Sequence, residues 1–322
     1  MRAPSVLLAF AVLAIPGARL AGAKPAAAPA RLAALAPPTT DDALRAVAIG
    51  PDGEVYEPDG KGAWIRTQRI TTADPIAIVG RADGAVIANA GGAVYRLAPN
   101  GWSALRLVQQ GKAITSGGSN AIAAVGRQLF ALDRMERGEP AKLAVAPADV
   151  LAIAGAQVAK PGAKLPSYVV ATDKGLLRPD KTGKLVAIAG APKRVNRLVS
   201  DVWAITDKGA LDLRTNKPVA WPAGTTITLA TPGPADSLVV VATIAKQPEL
   251  VVVRAGKLER APLAITPPSA PVGVAVDRAG RAVVALRDGR LLVRDKAGAW
   301  TTTEVKDALP ADKPGPPPAT SR

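Results

Sequence analysis

Between Leu44 and Val305 the chain is a succession of short apolar runs cut by Gly, Asp-Gly and Pro. Helical periodicity is nearly absent, and Val, Ile, Leu and Thr fill the runs, so strands are expected and not helices. The clearest unit is near the C-terminal end. Val272–Val276 is one run, followed by a turn over Asp277-Arg-Ala-Gly280 and a second run over Arg281–Leu286. An Asp288-Gly289 turn leads into Arg290–Arg294, and a loop into Trp300–Val305. That is four antiparallel strands joined by tight turns, because Asp-Gly tolerates the positive φ of a two-residue hairpin.

The same phrase recurs upstream. Ala46–Ile49 with Asp52-Gly53, Glu54–Glu57 and Trp64 matches its second half; Ile76–Val79 with Asp83-Gly84, Gly92–Arg96 and Trp102 is another copy. Ile122–Val125 with Gly126-Arg127 and Gln128–Leu132 is a third, and Val169–Ala171 with Asp173-Lys-Gly175 a fourth. Val202–Ile205 with Asp207-Lys-Gly209 is the fifth, and Leu238–Val241, Leu250–Val253 and Gly256-Lys257 form a less regular sixth. Seven units spaced about 39 residues apart between Gly53 and Gly289 predict an all-β fold, a β-propeller of seven four-stranded blades. A single blade cannot cover both faces of its sheet, whereas radial stacking buries them. Continuous runs such as Leu238–Val241 suit strands covered on both sides. A β-sandwich pair gives no reason for so regular a period, and a β-helix repeats every ~20–25 residues. The first blade is one strand short unless residues near Leu32–Leu35 or the C-terminal segment complete it.

Three sets of motifs resemble known propeller repeats. Asp52-Gly-Glu-Val-Tyr56 with Trp64, Gly92-Ala-Val-Tyr95 with Trp102, and Asp201-Val-Trp-Ala-Ile205 are similar to tectonin-type blades, which implies a lectin-like or surface-binding module. Leu129-Phe-Ala-Leu-Asp133 and Asp180-Lys-Thr-Gly183-Lys184-Leu185 resemble quinoprotein-type repeats, found in dehydrogenases and in a bacterial outer-membrane assembly scaffold. Asp277-Arg-Ala-Gly280 followed by Ala282-Val-Val-Ala285 looks like two-component-regulator and lactonase-type propellers. Together they imply a propeller and no single family.

The chain opens with Arg2, an apolar run from Val6 to Ile15, the breaker Pro16-Gly17 and the small residues Ala21-Gly22-Ala23. This is the layout of a secretory signal over residues 1–23, with cleavage expected after Ala23 and an uncleaved anchor as the alternative. No Cys follows for a lipoprotein anchor, and no other run approaches the ~20 apolar residues of a transmembrane helix. Residues 24–40 are Ala/Pro-rich and read as a linker, 41–308 as the propeller domain, and 309–322 as a disordered Pro-rich tail. Alanine- and arginine-rich usage points to a bacterium, and the signal to the periplasm or the extracellular space.

The chain has no Cys and no His among 322 residues. That excludes disulfides, zinc-thiolate sites, His-ligated haem, Cys–His nucleophiles and Ser–His–Asp triads, and removes the usual general base near neutral pH. Asp52, Asp83, Asp173, Asp207 and Asp288 recur once per unit beside Gly, but calcium needs six to eight converging oxygens and the Asp-x-Asp-x-Asp-Gly spacing is missing. They read as turn residues. Ala90-Gly-Gly92 and Thr115–Ser119 lack the pattern of a phosphate cradle, and no Ser-x-x-Lys dyad is recognisable. No catalytic, cofactor or metal residue is therefore assigned.

Trp64, Trp102, Trp221 and Trp300 are expected as wedges between blades, and Trp203 as core. Ten aromatic residues in all are too few for a stacking nucleic-acid surface. The 41 Lys and Arg against 26 Asp and Glu give +15, and loss of Arg2 and Arg19 with the signal leaves +13. Such a surface attracts an acidic envelope polymer, a glycan-bearing partner or an acidic protein. Lys193-Arg194 with Arg197, and Arg287 with Arg290 and Arg294, are the densest groups, and the second is taken as the candidate partner site. The sequence thus predicts an exported, monomeric, non-catalytic binding module. The alternative is a metal- or quinone-dependent hydrolase or dehydrogenase using carboxylates in the central channel.

Overall fold

A computed structural model describes residues 29–36, 46–59, 63–69, 75–81, 84–89, 94–98, 101–105, 113–116, 122–136, 139–156, 166–265, 269–277 and 279–306. The proposed signal over 1–23 and the Pro-rich tail over 309–322 lie outside them. The strands form seven antiparallel four-stranded units in chain order, spanning 34–69, 75–105, 113–145, 150–187, 197–220, 226–262 and 271–306. The first strand of each unit neighbours the first strand of the next, and Ala34–Ala36 returns to Pro271–Val276, so the ring closes around a central axis. These are the seven blades that the ~39-residue period predicts.

Burial follows radial position. The second strands Ile122–Val125, Tyr168–Thr172, Trp203–Ile205 and Ala282–Leu286 are buried at every residue. Continuous Val, Ala and Ile fill them because both faces touch a neighbouring blade. The fourth strands Lys217–Ala220, Lys257–Pro262 and Trp300–Lys306 carry the polar residues and stand largely in solvent. Apolar layers lie between blades: Trp203, Ile205 and Val219 meet Leu238, Val240 and Val251 between blades five and six. Leu129 and Ile122 meet Tyr168 and Val170 between three and four. Trp64 and Trp203 are both buried, as the wedge and core readings expect; Trp221 and Trp300 are half-buried against the layers of blades five–six and six–seven. The side chain of Trp102 lies outside the described residues.

The ring closes without a shared strand. The missing strand of blade one is Ala34–Ala36, paired antiparallel with Val47–Ile49. Reading 24–40 as a linker therefore fails for residues 29–36. Ala30 and Leu32 are each 2% exposed and pack with Trp64, Leu291 and Val305 between blades one and seven. Their alanine- and proline-rich surroundings hide this in the composition, because Leu32 and Leu35 gain cover only when the last blade arrives. The Ala30 N–H donates to the Val305 carbonyl at 3.0 Å and the Leu32 N–H to the Arg287 carbonyl at 3.1 Å. Outer strands of the two blades pair in parallel over only Trp64–Ile65 and Val305–Lys306. Gly289, at φ +91°, would set a Cβ 2.2 Å from the Ala30 carbonyl oxygen, so glycine is needed there for both conformation and space.

Two turns are out of phase with the sequence reading. Asp83, outside the described residues, falls between the first and second strands of blade two (Pro75–Arg81 and Gly84–Asn89), not between the second and third. In blade six, Gly256-Lys257 joins the third strand to the fourth, and the second–third hairpin is Ala245-Lys246, at φ +49° and +69°. Without glycine this hairpin escapes a search for Asp-Gly.

Candidate functional site

Antiparallel order gives the propeller two unlike faces. One, here the upper face, carries the second–third hairpins and the connections between blades. The lower face carries the first–second and third–fourth turns. Asp52, Asp173, Asp207 and Asp288 all stand in upper hairpins, one to a blade, and Gly53, Gly175 and Gly289 beside them take φ of +82°, +117° and +91°. Turn geometry accounts for them. On the lower face Asp59, Asp180, Asp277 and Asp295 each accept the N–H of the residue four further on, at 2.9–3.1 Å. The quinoprotein-like Asp180–Leu185 is one of these turns, and hydrogen bonds from Thr182 hold the Asp180 carboxyl below its ordinary range. These carboxylates serve their own backbone. Among the described residues no three acidic side chains gather as metal ligands.

The lower face also carries bonds from blade to blade. Ser167 donates to Asp201 at 2.5 Å, Arg178 to the Leu213 carbonyl at 2.7 Å, and Trp203 Nε1 to the Asp236 carbonyl at 2.7 Å. Arg214 bridges Asp212 and Asp236. Blades four, five and six are thereby locked into one another.

Arg287, Arg290 and Arg294 do not form one patch. Arg287 is exposed in the upper hairpin, and Arg290 opens the third strand (Arg290–Arg294) beside it. Arg290 is bound to Asp288, its Nε at 2.9 Å and a terminal nitrogen at 2.7 Å from the same carboxylate oxygen. Burial pushes the Asp288 carboxyl up, but the Arg290 hydrogen bonds outweigh it and hold the group below its ordinary value. Arg294 ends the strand on the lower face, about 13 Å away at strand rise. The other basic group does share a face: Lys193 and Arg194 are exposed in the connection from blade four to blade five, and Arg197 begins the inner strand of blade five.

The seven inner strands stand around the axis, and over their described residues the sequences contain no Asp, no Glu and no aromatic residue. Arg197, Thr226, Thr228 and Leu151 are exposed there. Sequence reasoning missed Leu151 altogether. An apolar residue in an apolar strand reads as core, and only its place on the innermost strand turns it outward.

Further out, Arg260 clasps Glu249 through two bonds of 2.6 and 2.5 Å, and they hold the Glu249 carboxyl below the ordinary 4.5. A depressed carboxylate stabilises the fold above its unfolded pKa, and the gain is lost as pH falls through the folded value. Wild-type protein is expected to melt higher than Glu249→Gln at neutral pH, with the gap closing below pH 4.5. Thermal melts of the two from pH 7 to pH 3 check this, and a constant gap refutes it.

No protein-family model matches the chain, and no curated protein sequence is detectably similar to it. The three partial resemblances in its repeats thus gain no support from that side. Solved structures do match. The WD40 β-propeller domain of Doa1 superposes with a TM-score of 0.55 at 10% identity, covering 82% of this chain and 92% of that one. YCF48 from Cyanidioschyzon merolae gives 0.54 at 13%, covering 84% and 96%. The Dos1 propeller gives 0.52 at 13%, covering 88% and 86%. At such identities the likeness concerns fold alone. By its seven closed blades and by these neighbours the protein is a β-propeller.

Proposed function

We propose that the protein is an exported binding module that engages an acidic or glycan-bearing partner of the cell envelope through one propeller face. The observation that carries this reading is the composition of the inner strands. Among the described residues the seven inner strands carry no carboxylate in their sequences to bind a metal or move a proton, which leaves the channel-carboxylate enzyme no inner-strand residue to work with there. A rigid ring presenting loops on two faces can instead offer several shallow contacts. The +13 left once Arg2 and Arg19 go with the signal supports attraction to an acidic surface, and the apolar run ahead of Ala21-Gly22-Ala23 supports export.

Among the described residues no helix is long and apolar enough to cross a membrane. Protein retained on envelope fractions at about 50 mM salt is expected to elute at about 500 mM, since screening removes long-range attraction. Its N-terminal sequence is expected to begin at Lys24. Retention indifferent to salt removes the electrostatic recognition, and no retention at all removes the binding module.

A further inference from the structure

In four blades the inner strand slips by one residue against its neighbour. The irregularity falls between Pro75 and Ala77, Val150 and Ala152, Ile227 and Leu229, and Pro271 and Gly273. The residue left over is Ile76, Leu151, Thr228 or Val272, each near the upper end of its strand. A bulge bends the strand, leaves main-chain groups outside the ladder and re-aims a side chain. Ring closure does not demand it, because blades one, three and five join their first two strands without a slip.

Two of the re-aimed side chains stand in solvent. Leu151 is 63% exposed, more than any other large apolar side chain among the described residues. Thr228 is exposed, whereas Val272 is half-buried and packs against the apolar layer between blades seven and one. The side chain of Ile76 lies outside the described residues. Between Leu151 and Thr228 in ring order stands Arg197, at the upper end of the inner strand of blade five. Its guanidinium touches the Thr228 carbonyl at 3.5 Å and has no carboxylate partner among the described residues. Solvent reaches it, yet enough protein surrounds it that desolvation lowers its pKa from the ordinary arginine value. A cation with no counter-charge beside exposed apolar surface is half of a complementary pair.

We propose that the upper mouth of the central channel, bounded by Leu151, Arg197 and Thr228, docks an extended peptide segment of the partner, with an acidic side chain on Arg197 and an aliphatic one on Leu151. This rests on the binding-module reading and names its site. A glycan is the poorer occupant, because the inner strands hold no aromatic ring for a sugar to stack on. A peptide main chain can use the polar groups that the bulges leave outside the ladder. Exposed Lys193 and Arg194 on the same face steer the acidic segment inward.

The test is fluorescence anisotropy of the whole protein with a labelled, N-acetylated, C-amidated peptide Ala-Leu-Glu-Leu-Glu-Ala. Its Gln counterpart and polygalacturonate serve as the competing ligands. Arg197→Gln and Leu151→Ser are each expected to weaken peptide binding about ten-fold, with Arg197→Lys retaining most of it. Both positions are solvent-exposed, so melting temperatures are expected to stay within about 2 °C of wild type. Equal binding of the Glu and Gln peptides, indifference to both substitutions, preference for polygalacturonate, or no peptide binding overturns the proposal. The same variants on envelope fractions separate the two claims. Undiminished, salt-sensitive retention of both rejects this mouth and keeps the binding module, whereas no retention of wild type rejects both.

Discussion

Gly273→Ala is expected to loosen the whole ring from its seam. A Cβ at this position would stand 2.2 Å from the Leu35 Cβ, 2.5 Å from the Leu35 nitrogen and 2.9 Å from its Cα. Two of those atoms are main chain, so no rotamer change relieves the clash and the inner strands of blades seven and one must part. Overpacking of a tight core costs about 1–3 kcal/mol and more where backbone must move. Main-chain bonds across the seam are few among the described residues, so its hold rests largely on the apolar layer of Leu32, Leu35, Trp64, Leu291 and Val305 that such a shift would open. Gly280→Ala is the control: φ there is +82° with nothing within 4 Å, so only the left-handed penalty of about 1–2 kcal/mol applies, and it stays within one turn. Urea unfolding is expected to rank Gly273→Ala as the more damaging, and hydrogen exchange to show faster exchange at Ala30 and Leu32 in that variant alone. If Gly273→Ala unfolds at the wild-type midpoint, the two strands do not approach as described.

Trp203→Ala is expected to cost about 3–5 kcal/mol, the range for emptying the place of a buried tryptophan. The side chain is 3% exposed and spans the layer between blades five and six, against Leu238, Val240 and Val251. Its indole N–H also reaches the Asp236 carbonyl at 2.7 Å, in a turn where Ala235 and Asp236 both sit at positive φ (+52° and +57°). That turn has two outside holds, the indole and Arg214. Trp203→Phe keeps most of the apolar area and drops the hydrogen bond, for a loss of about 1 kcal/mol. Chemical denaturation of the two variants separates the contributions. Equal losses for Ala and Phe place the energy in the hydrogen bond, and a loss under about 1 kcal/mol for Ala denies the core role of Trp203.

Several features were legible because they depend on neighbours close in sequence. Asp288-Gly289 makes a hairpin by its own backbone preference, and the turn after Asp173 follows the same rule at Gly175. Leu238–Val241 announces a strand covered on both sides by being apolar throughout, and it is buried throughout. Trp203 reads as core and is core. The phase of the repeat was less secure. Ala245-Lys246 makes its turn without glycine, and Asp83 falls one connection early.

The chain alone determined that it folds as a ring of strands, since a period near 39 residues and hairpin chemistry are local properties repeated seven times. Its charge, and the absence of Cys and His, also need no structure. Which residues sit together at a face was decided only by the tertiary fold. Arg290 and Arg294 are four apart in sequence, yet a strand carries them to opposite faces, while Leu151, Arg197 and Thr228 are brought to one mouth from three blades. Leu32 and Leu35 became core through contact with a blade about 240 residues later. Local preference acts within a turn or a strand. Closing a ring is a long-range event, and its contacts exist only after every blade is in place.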